Sequence, residues 1–347
     1  MSFQMPVDPR TERRARMTRW VSFVLALALI LLVGYFAYLG WEGSRQLASS
    51  PTNSADCRTP ATLGWSYEAI NYDIASDAAL AEQSDQTSCE RQGELAGAAV
   101  TGPGGVGLAG WWIPSESGVG PAGPTVVLAH GWSSNKSDML ERASLLHPNY
   151  NLLVFDFRNH GQSQPADTTQ GVREAGDLRV MLDWLEENKA PDRVVVLGVS
   201  MGGVSALNAA ARDERIDAVI IESTHATLAN AVQARLEASG YPMSIPGNWA
   251  VLLGALLRTG VDMSSADPLQ AITNLNGRPV LIISGGEDRS IGPNDAAELL
   301  AAADEASSPV SLEVCATAAH AESPEGCAED YATWVLGFLS EVAPPGG

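Results

Sequence analysis

Ser200, Asp288 and His320 are the residues whose types and surroundings could carry chemistry. Ser200 stands in "VVVLGVSMGGVSALNAAA" (Val194–Ala211), where an apolar run meets Gly-x-Ser-x-Gly and an Ala-rich segment follows. A strand that ends this way and turns straight into a helix bends sharply and holds the serine hydroxyl out at the apex. Gly198 and Gly202 belong there because side chains would collide across the bend. The following helix points its N-terminus at the serine, which favours negative charge developing beside it. A serine hydroxyl becomes a nucleophile when a base abstracts its proton and an acid orients that base. His320, in "CATAAHAES", follows the last predicted strand, and Asp288, in "SGGEDRSI", directly follows the strand "VLIIS". The chain order is then Ser200, Asp288, His320, each on a loop at the carboxyl end of a strand. Glu222, closing "AVIIE", is the alternative acid, and Glu287 reads as a solvated carboxylate.

An acyl-transfer site also needs donors for the oxyanion. The backbone N–H groups of Trp132 and Met201 fit that role, with His130 in "LAHGWSS" shaping the loop that presents Trp132. His147 and His160 read as structural or exposed, and His225 as a satisfied loop histidine with pocket lining as its rival. Asp156 and Arg158, in "FDFRNHGQS", read as ion-pairing with nearby loops. There is no obvious charged subsite, and Glu237 in the cap is the residue that could hold a peptide N-terminus.

These loops need a scaffold. "PTVVLAH", "NLLVFDF", "RVVVLG", "DAVIIES", "RPVLIIS" and "VSLEV" are short apolar runs, and they alternate with helical patterns such as "VREAGDLRVMLDWLEEN" and "DAAELLAAAD". That alternation predicts an α/β fold with a mostly parallel sheet covered by helices on both faces. "YEAINYDI" and "GLAGWWIP" precede it as antiparallel strands. Between Thr224 and about Ala271 the pattern is helical, which predicts a cap inserted after the sixth strand. Its run "WAVLLGALL" is too short to span a bilayer and reads either as the apolar underside of a lid or as plain helix packing.

"WVSFVLALALILLVGYFAYLGW" has no charge from Trp20 to Trp41. As a helix its apolar stretch would run roughly 29 Å, about one bilayer core, with Trp and Tyr at the interfaces. Its length favours an uncleaved anchor over a signal peptide. The arginines before it predict a cytoplasmic amino end and an extracytoplasmic body. The expected organisation is a basic segment 1–19, a transmembrane helix 20–41, a linker 42–63, a catalytic domain 64–342 with its cap at about 225–271, and a tail 343–347. The chain carries a net charge of -20, and the body alone is more acidic still, so charge gives it no affinity for nucleic acid. All four cysteines follow the anchor, and proximity in sequence favours the pairs Cys57–Cys89 and Cys315–Cys327. The second pair would pin the loop around His320. Metal-ligand spacing is absent, with no CxxC or paired histidines.

The motifs "VVLAHGWSSNK", "LLVFDFRNHGQS", "VVVLGVSMGGVSALNAA", "PVLIISGGEDRSI" and "AAHAE", in this order, resemble the α/β-hydrolase superfamily, from about Gly64 to Val342. The group most similar is that of bacterial serine-aminopeptidase-like and dienelactone-hydrolase-like proteins. "DPLQAI" is similar to the segment that follows their cap. The resemblance implies Ser200 as nucleophile, Asp288 as acid, His320 as base, Trp132 and Met201 as oxyanion donors, and no metal or cofactor. Two features depart from the pattern: Ile291 is followed by Gly292-Pro293 in the acid loop, and a Cys-containing insertion occupies Ser76–Gly97. The expectation is a membrane-anchored serine hydrolase acting on a small-molecule carboxylic ester. A peptidase, an acyltransferase using the same residues and a non-catalytic binding protein are the rival readings.

Overall fold

The computed structural model describes residues 9–49, 58–70 and 100–345. Strands β1 (Glu68–Ile70), β2 (Val100–Gly102), β3 (Val106–Ile113), β4 (Thr125–Ala129), β5 (Asn151–Asp156), β6 (Val194–Val199), β7 (Ala218–Glu222), β8 (Val280–Gly285) and β9 (Val310–Cys315) form one sheet. Its order is β1-β3-β5-β4-β6-β7-β8-β9, with β2 paired to β3. Pairing is antiparallel up to β3–β5 and parallel from β5–β4 onward. The central strands β4 to β7 are buried at every residue. That is why they read as unbroken apolar runs rather than as alternating ones.

Helices α3 (Glu174–Asn188), α4 (Met201–Ala210), α7 (Pro268–Thr273) and α8 (Asp295–Glu305) cover one face, through residues such as Leu178, Met181, Ala206, Ile272 and Leu299. Helices α2 (Leu140–Leu146) and α10 (Ala328–Val342) cover the other, through Leu140, Leu146, Tyr331, Val335 and Leu339. The short α9 (Ser323–Gly326) precedes α10. The parallel strands all deliver their following loops to one edge, where Ser200, Asp288 and His320 lie.

Three expectations need correction. The cap, α5 (Leu228–Ala238) and α6 (Ser244–Thr259), follows the seventh described strand rather than the sixth. The uncounted strand is β2, three residues that pair with β3 across a turn at Gly104 and Gly105, both at φ 81°. It is too short to show any hydrophobic alternation. The segment predicted as a linker starts as helix, because α1 (Pro9–Ala48) runs unbroken through the predicted span and onward. The proposed Cys57–Cys89 pair and the insertion at Ser76–Gly97 lie outside the described residues.

The third correction concerns the cap run. Its apolar residues divide between two surroundings. Val251 and Ala255 of α6 join Leu228, Val232 and Leu236 of α5 around Leu39 and Leu47 of α1. Small residues make this approach possible: a Cβ on Gly254 would come within 2.2 Å of the Gly40 carbonyl oxygen, and one on Gly43 within 2.5 Å of Val251. Arg258 caps the seam, with Nε 3.2 Å from Ser44 Oγ and its guanidinium over the Trp41 ring. On its other side α6 exposes Ile245, Trp249, Leu253 and Leu257, the last 78% accessible.

The end of α1 is tied to the loops of the sheet. Thr168 N–H donates to Ala48 O (3.0 Å), Gln170 Nε2 to Leu47 O (3.0 Å), and Trp132 Nε1 to Ser49 O (2.8 Å). The last two carbonyls of α1, which no helical N–H can reach, and that of Ser49 just beyond it are thereby satisfied. A Gly254→Leu substitution should wedge α6 from α1 at a cost of about 1–3 kcal/mol. In detergent-solubilised full-length protein it is expected to lower the melting temperature and to speed tryptic cleavage at Arg258. An unchanged melting curve and cleavage rate would contradict this packing.

Candidate active site

Ser200 links β6 to α4 with φ 53° and ψ −116°, a conformation that L-residues rarely adopt. The neighbours enforce it. A Cβ on Gly198 would sit 2.4 Å from Gly202 O, and one on Gly202 would sit 2.1 Å from Ala129 O. No side chain fits either gap, so β6, α4 and the end of β4 can close on one another only around glycine. Ser200 N–H donates to Glu222 O at 2.8 Å, which fastens the turn to β7.

His320 Nε2 lies 3.0 Å from Ser200 Oγ, and its Nδ1 lies 2.8 Å from Asp288 Oδ2. Ser290 N–H donates to the other Asp288 oxygen at 2.8 Å. The Asp288 side chain is almost wholly buried. Burial opposes its ionisation, but hydrogen bonding and charge from His320, with the Ser290 N–H, outweigh that and hold the carboxyl below its ordinary value. The three predicted residues therefore meet in one hydrogen-bonded chain, and the Gly292-Pro293 departure does not displace Asp288.

The loop that carries His320 is fixed from two sides. Cys315 and Cys327 form a disulfide across it. Ala321 O accepts from Arg142 Nη2 (2.8 Å), and Ala321 N–H donates to Ser223 Oγ (3.0 Å). The same Arg142 is bidentate to Glu222, with both contacts at 2.8 Å. Glu222, the alternative acid, is thus spent on a buried pair beneath the site and is not the partner of His320. Glu287 is exposed, as expected.

Trp132 and Met201 both line the cavity at Ser200. Neither backbone N–H donates a hydrogen bond among the described residues, so both remain available to an oxyanion. A Cβ on Gly131 would lie 3.4 Å from Ser200 Cβ, which places this loop against the serine. His130 holds it: Nδ1 donates to Gly131 O (2.8 Å), while Nε2 accepts from Phe157 N–H (3.0 Å). His160 is buried, with Nδ1 on Arg158 O, and burial pushes it down to about 4. His147 stacks on Trp65. Asp156 and Arg158 do form ion pairs, but with separate partners, Lys136 and Asp177.

The cavity differs from expectation in its charge. His225 is no satisfied loop histidine. It is buried, it lines the cavity with Ser200, and its Nε2 has no hydrogen-bond partner. Beside it Arg235 of α5 lies over the Trp132 ring, 4.6 Å from the centroid, so the site does contain a charged group. Glu237 faces away, bonded to Gln233 and Ser244 on the surface. The signal for Arg235 was present in the sequence, since helical spacing puts it on the stripe of Leu228, Ala231 and Val232. Leu47 of α1 also lines this cavity. No group of metal-ligating side chains occurs among the described residues.

Residues 124–278 match the family model of the α/β-hydrolase fold. The uncharacterised Escherichia coli protein YfhR is 33% identical over 141 residues, which cover 40% of this chain and 50% of the relative. The matched segment thus spans about half the length of that curated relative. The uncharacterised Bacillus subtilis protein YqkD is 29% identical over 227 residues, 63% of this chain and 72% of the relative. An esterase from Pyrococcus furiosus has the same fold at a TM-score of 0.64 and 22% identity, covering 86% of this chain and 98% of its own. An acylaminoacyl peptidase from Pyrococcus horikoshii has a TM-score of 0.55 at 17% identity, covering 72% of this chain and 41% of its own. These structures share the fold.

Burial, with repulsion from Arg235 and His320, pushes His225 down to about 3. Its ordinary value is about 6.5, so between pH 7 and pH 5 the unfolded chain binds a proton there that the folded chain refuses. Stability is therefore present above the unfolded value and declines as pH falls, by about 2 kcal/mol from this residue over that interval. Chemical denaturation of His225→Gln at both pH values should show a loss smaller by about that amount. Equal losses in the variant and the parent would contradict a buried neutral His225.

Proposed function

We propose that this chain, an α/β hydrolase by fold and family match, is a serine hydrolase that cleaves carboxylic esters through an acyl-enzyme. The observation that carries this reading is the hydrogen-bonded chain from Ser200 Oγ through His320 to Asp288 on a strained strand-to-helix turn. His320 takes the Ser200 proton as Oγ attacks the ester carbonyl. The oxyanion rests on the Trp132 and Met201 N–H groups, with the N-terminus of α4 behind them. Asp288 holds His320 in the tautomer that bares Nε2 and stabilises the imidazolium. His320 then protonates the departing alcohol and later activates the water that releases the acid. Each step uses only groups that the fold brings together. Arg235 in place of a cap carboxylate disfavours an aminopeptidase, since a substrate ammonium would meet a like charge.

Full-length protein should hydrolyse p-nitrophenyl esters. Ser200→Ala should abolish turnover, and Asp288→Asn should lower kcat by roughly 10³–10⁴-fold. Ester turnover that survives Ser200→Ala would overturn the assignment.

The reading extends to the membrane. α1 is long and apolar enough to cross a bilayer, and α6 packs beside it with its apolar stripe turned outward, so the cap would dip that stripe into the same interface. The arginines before the span support a cytoplasmic amino end, and the Cys315–Cys327 bridge supports an oxidising compartment for the body. In spheroplasts, added protease is expected to degrade the body while sparing a tag at the amino end. The opposite pattern would reverse the orientation.

A further inference from the structure

Most of the buried and half-buried arginines of this fold are partnered. Arg142 is held by Glu222, Arg158 by Asp177, and Arg215 by Asp213. Arg278 instead donates to four backbone carbonyls, those of Ala210, Asp213, Leu275 and Ile216. Arg235, half-buried on α5, has no such partner. Among the described residues no carboxylate lies within ion-pair distance of it and no acceptor takes its hydrogen bonds. It is half-buried, and desolvation lowers its pKa, with only Asp288 opposing through its charge. Asp288 is already bound to His320.

The position of Arg235 gives its isolation a meaning. It lines the cavity at Ser200 and also an adjoining cavity between the cap and the end of α1. Trp132, whose indole carries the guanidinium, lines both as well. His225 adds a second unpaired polar atom, Nε2, in the Ser200 cavity. The walls that remain are largely apolar, with Leu39 and Leu47 from α1 facing Val232, Leu236 and Val251 from the cap. Glu42 also lines the adjoining cavity, but it is bonded to Arg45 and Gln46. A half-buried cation without a counter-ion is open to an anionic partner, and a guanidinium fork matches the paired oxygens of an oxyanion.

We propose that Arg235, assisted by His225, is a subsite for an oxyanion on the substrate, so that the preferred substrate is an anionic amphiphile. It would be an acyl ester bearing a phosphate or carboxylate, with hydrocarbon lying in the trough between α1 and the cap. This names the substrate class for the hydrolase reading and rests on it. A neutral ester would leave the guanidinium unpaired in the closed site, which is the basis of discrimination. The trough exists only because the helix that enters the bilayer ends at the site, so a lipid could pass along α1 without leaving an apolar surface.

The test compares two lipids that differ by one phosphate, 1-oleoylglycerol 3-phosphate and 1-oleoylglycerol, on full-length protein in a neutral detergent. Binding is measured first, by calorimetry in the Ser200→Ala background. The anionic lipid is expected to bind about 10-fold more tightly or better. Adding Arg235→Gln should bring that ratio toward one, and Arg235→Lys should retain part of it. Equal affinities, or a preference that survives Arg235→Gln, would overturn the proposal whether or not any ester is hydrolysed. Inorganic phosphate binding as tightly as the lipid would overturn the part assigned to the trough. Fatty-acid release by protein with Ser200 intact should show the same ratio, chiefly in KM. If Arg235→Gln lowers release from both lipids equally, the residue only steadies Trp132 and the proposal fails. Turnover of p-nitrophenyl octanoate in the same preparations tests the hydrolase reading separately.

Discussion

Three backbone segments converge within van der Waals contact at Ser200, and the site depends on that convergence. β6 must stop, α4 must start, and the end of β4 must lie against them, with no room for a Cβ at Gly198 or Gly202. The strain at Ser200 follows from this crowding, and the sheet and its covering helices hold it in place. One geometric constraint thus exposes the hydroxyl, aims the first N–H groups of α4 at it, and brings the Gly131-Trp132 loop alongside. Asp288 and His320 then need only follow β8 and β9, the strands beyond β7 in the sheet, to reach the same edge.

Beneath the site a buried layer makes the arrangement rigid. Arg142 from α2, Glu222 from β7 and Tyr331 from α10 meet there, and Arg142 also holds the carbonyl after His320. Removing Arg142 or Glu222 would leave the other as a buried charge without its partner, which typically costs about 3–5 kcal/mol. Glu222 therefore acts on the base through structure, even though it is not the acid that orients it. The disulfide closes the loop from the outer side. The His320 loop is thus held by the Arg142–Glu222 pair on one side and by the Cys315–Cys327 bond on the other.

Helix α1, long and apolar enough to cross a bilayer, also belongs to the site. Its final carbonyls, with that of Ser49 just beyond, are bonded to Thr168, Gln170 and Trp132, and Leu47 faces the cavity of Ser200. Much of the rest was legible in the sequence, because the signals are local. The glycines around Ser200, the apolar strand before Asp288, and the position of His320 between the last strand and helix each carry their own signal. The continuation of α1 was hidden because "EGSRQLA" borders a Ser/Pro/Thr-rich stretch, and the helix persists only by packing on a cap that lies about 200 residues further along the chain. Arg235 escapes a reading of the sequence, and His225 reads there as a satisfied loop histidine, for a related reason. Whether a polar side chain has a partner is a tertiary fact, and an arginine on an apolar stripe takes on its meaning only when the fold shows that nothing pairs with it. β2 was missed for want of length.

The central claim is that Ser200 is the activated nucleophile, and covalent trapping tests it most directly. Full-length protein would be treated with a fluorophosphonate at neutral pH, digested, and mapped by mass spectrometry. The account predicts stoichiometric modification of Ser200, with labelling strongly slowed in His320→Ala. An unmodified Ser200, or a label spread over surface hydroxyls at the same rate in both proteins, would contradict it.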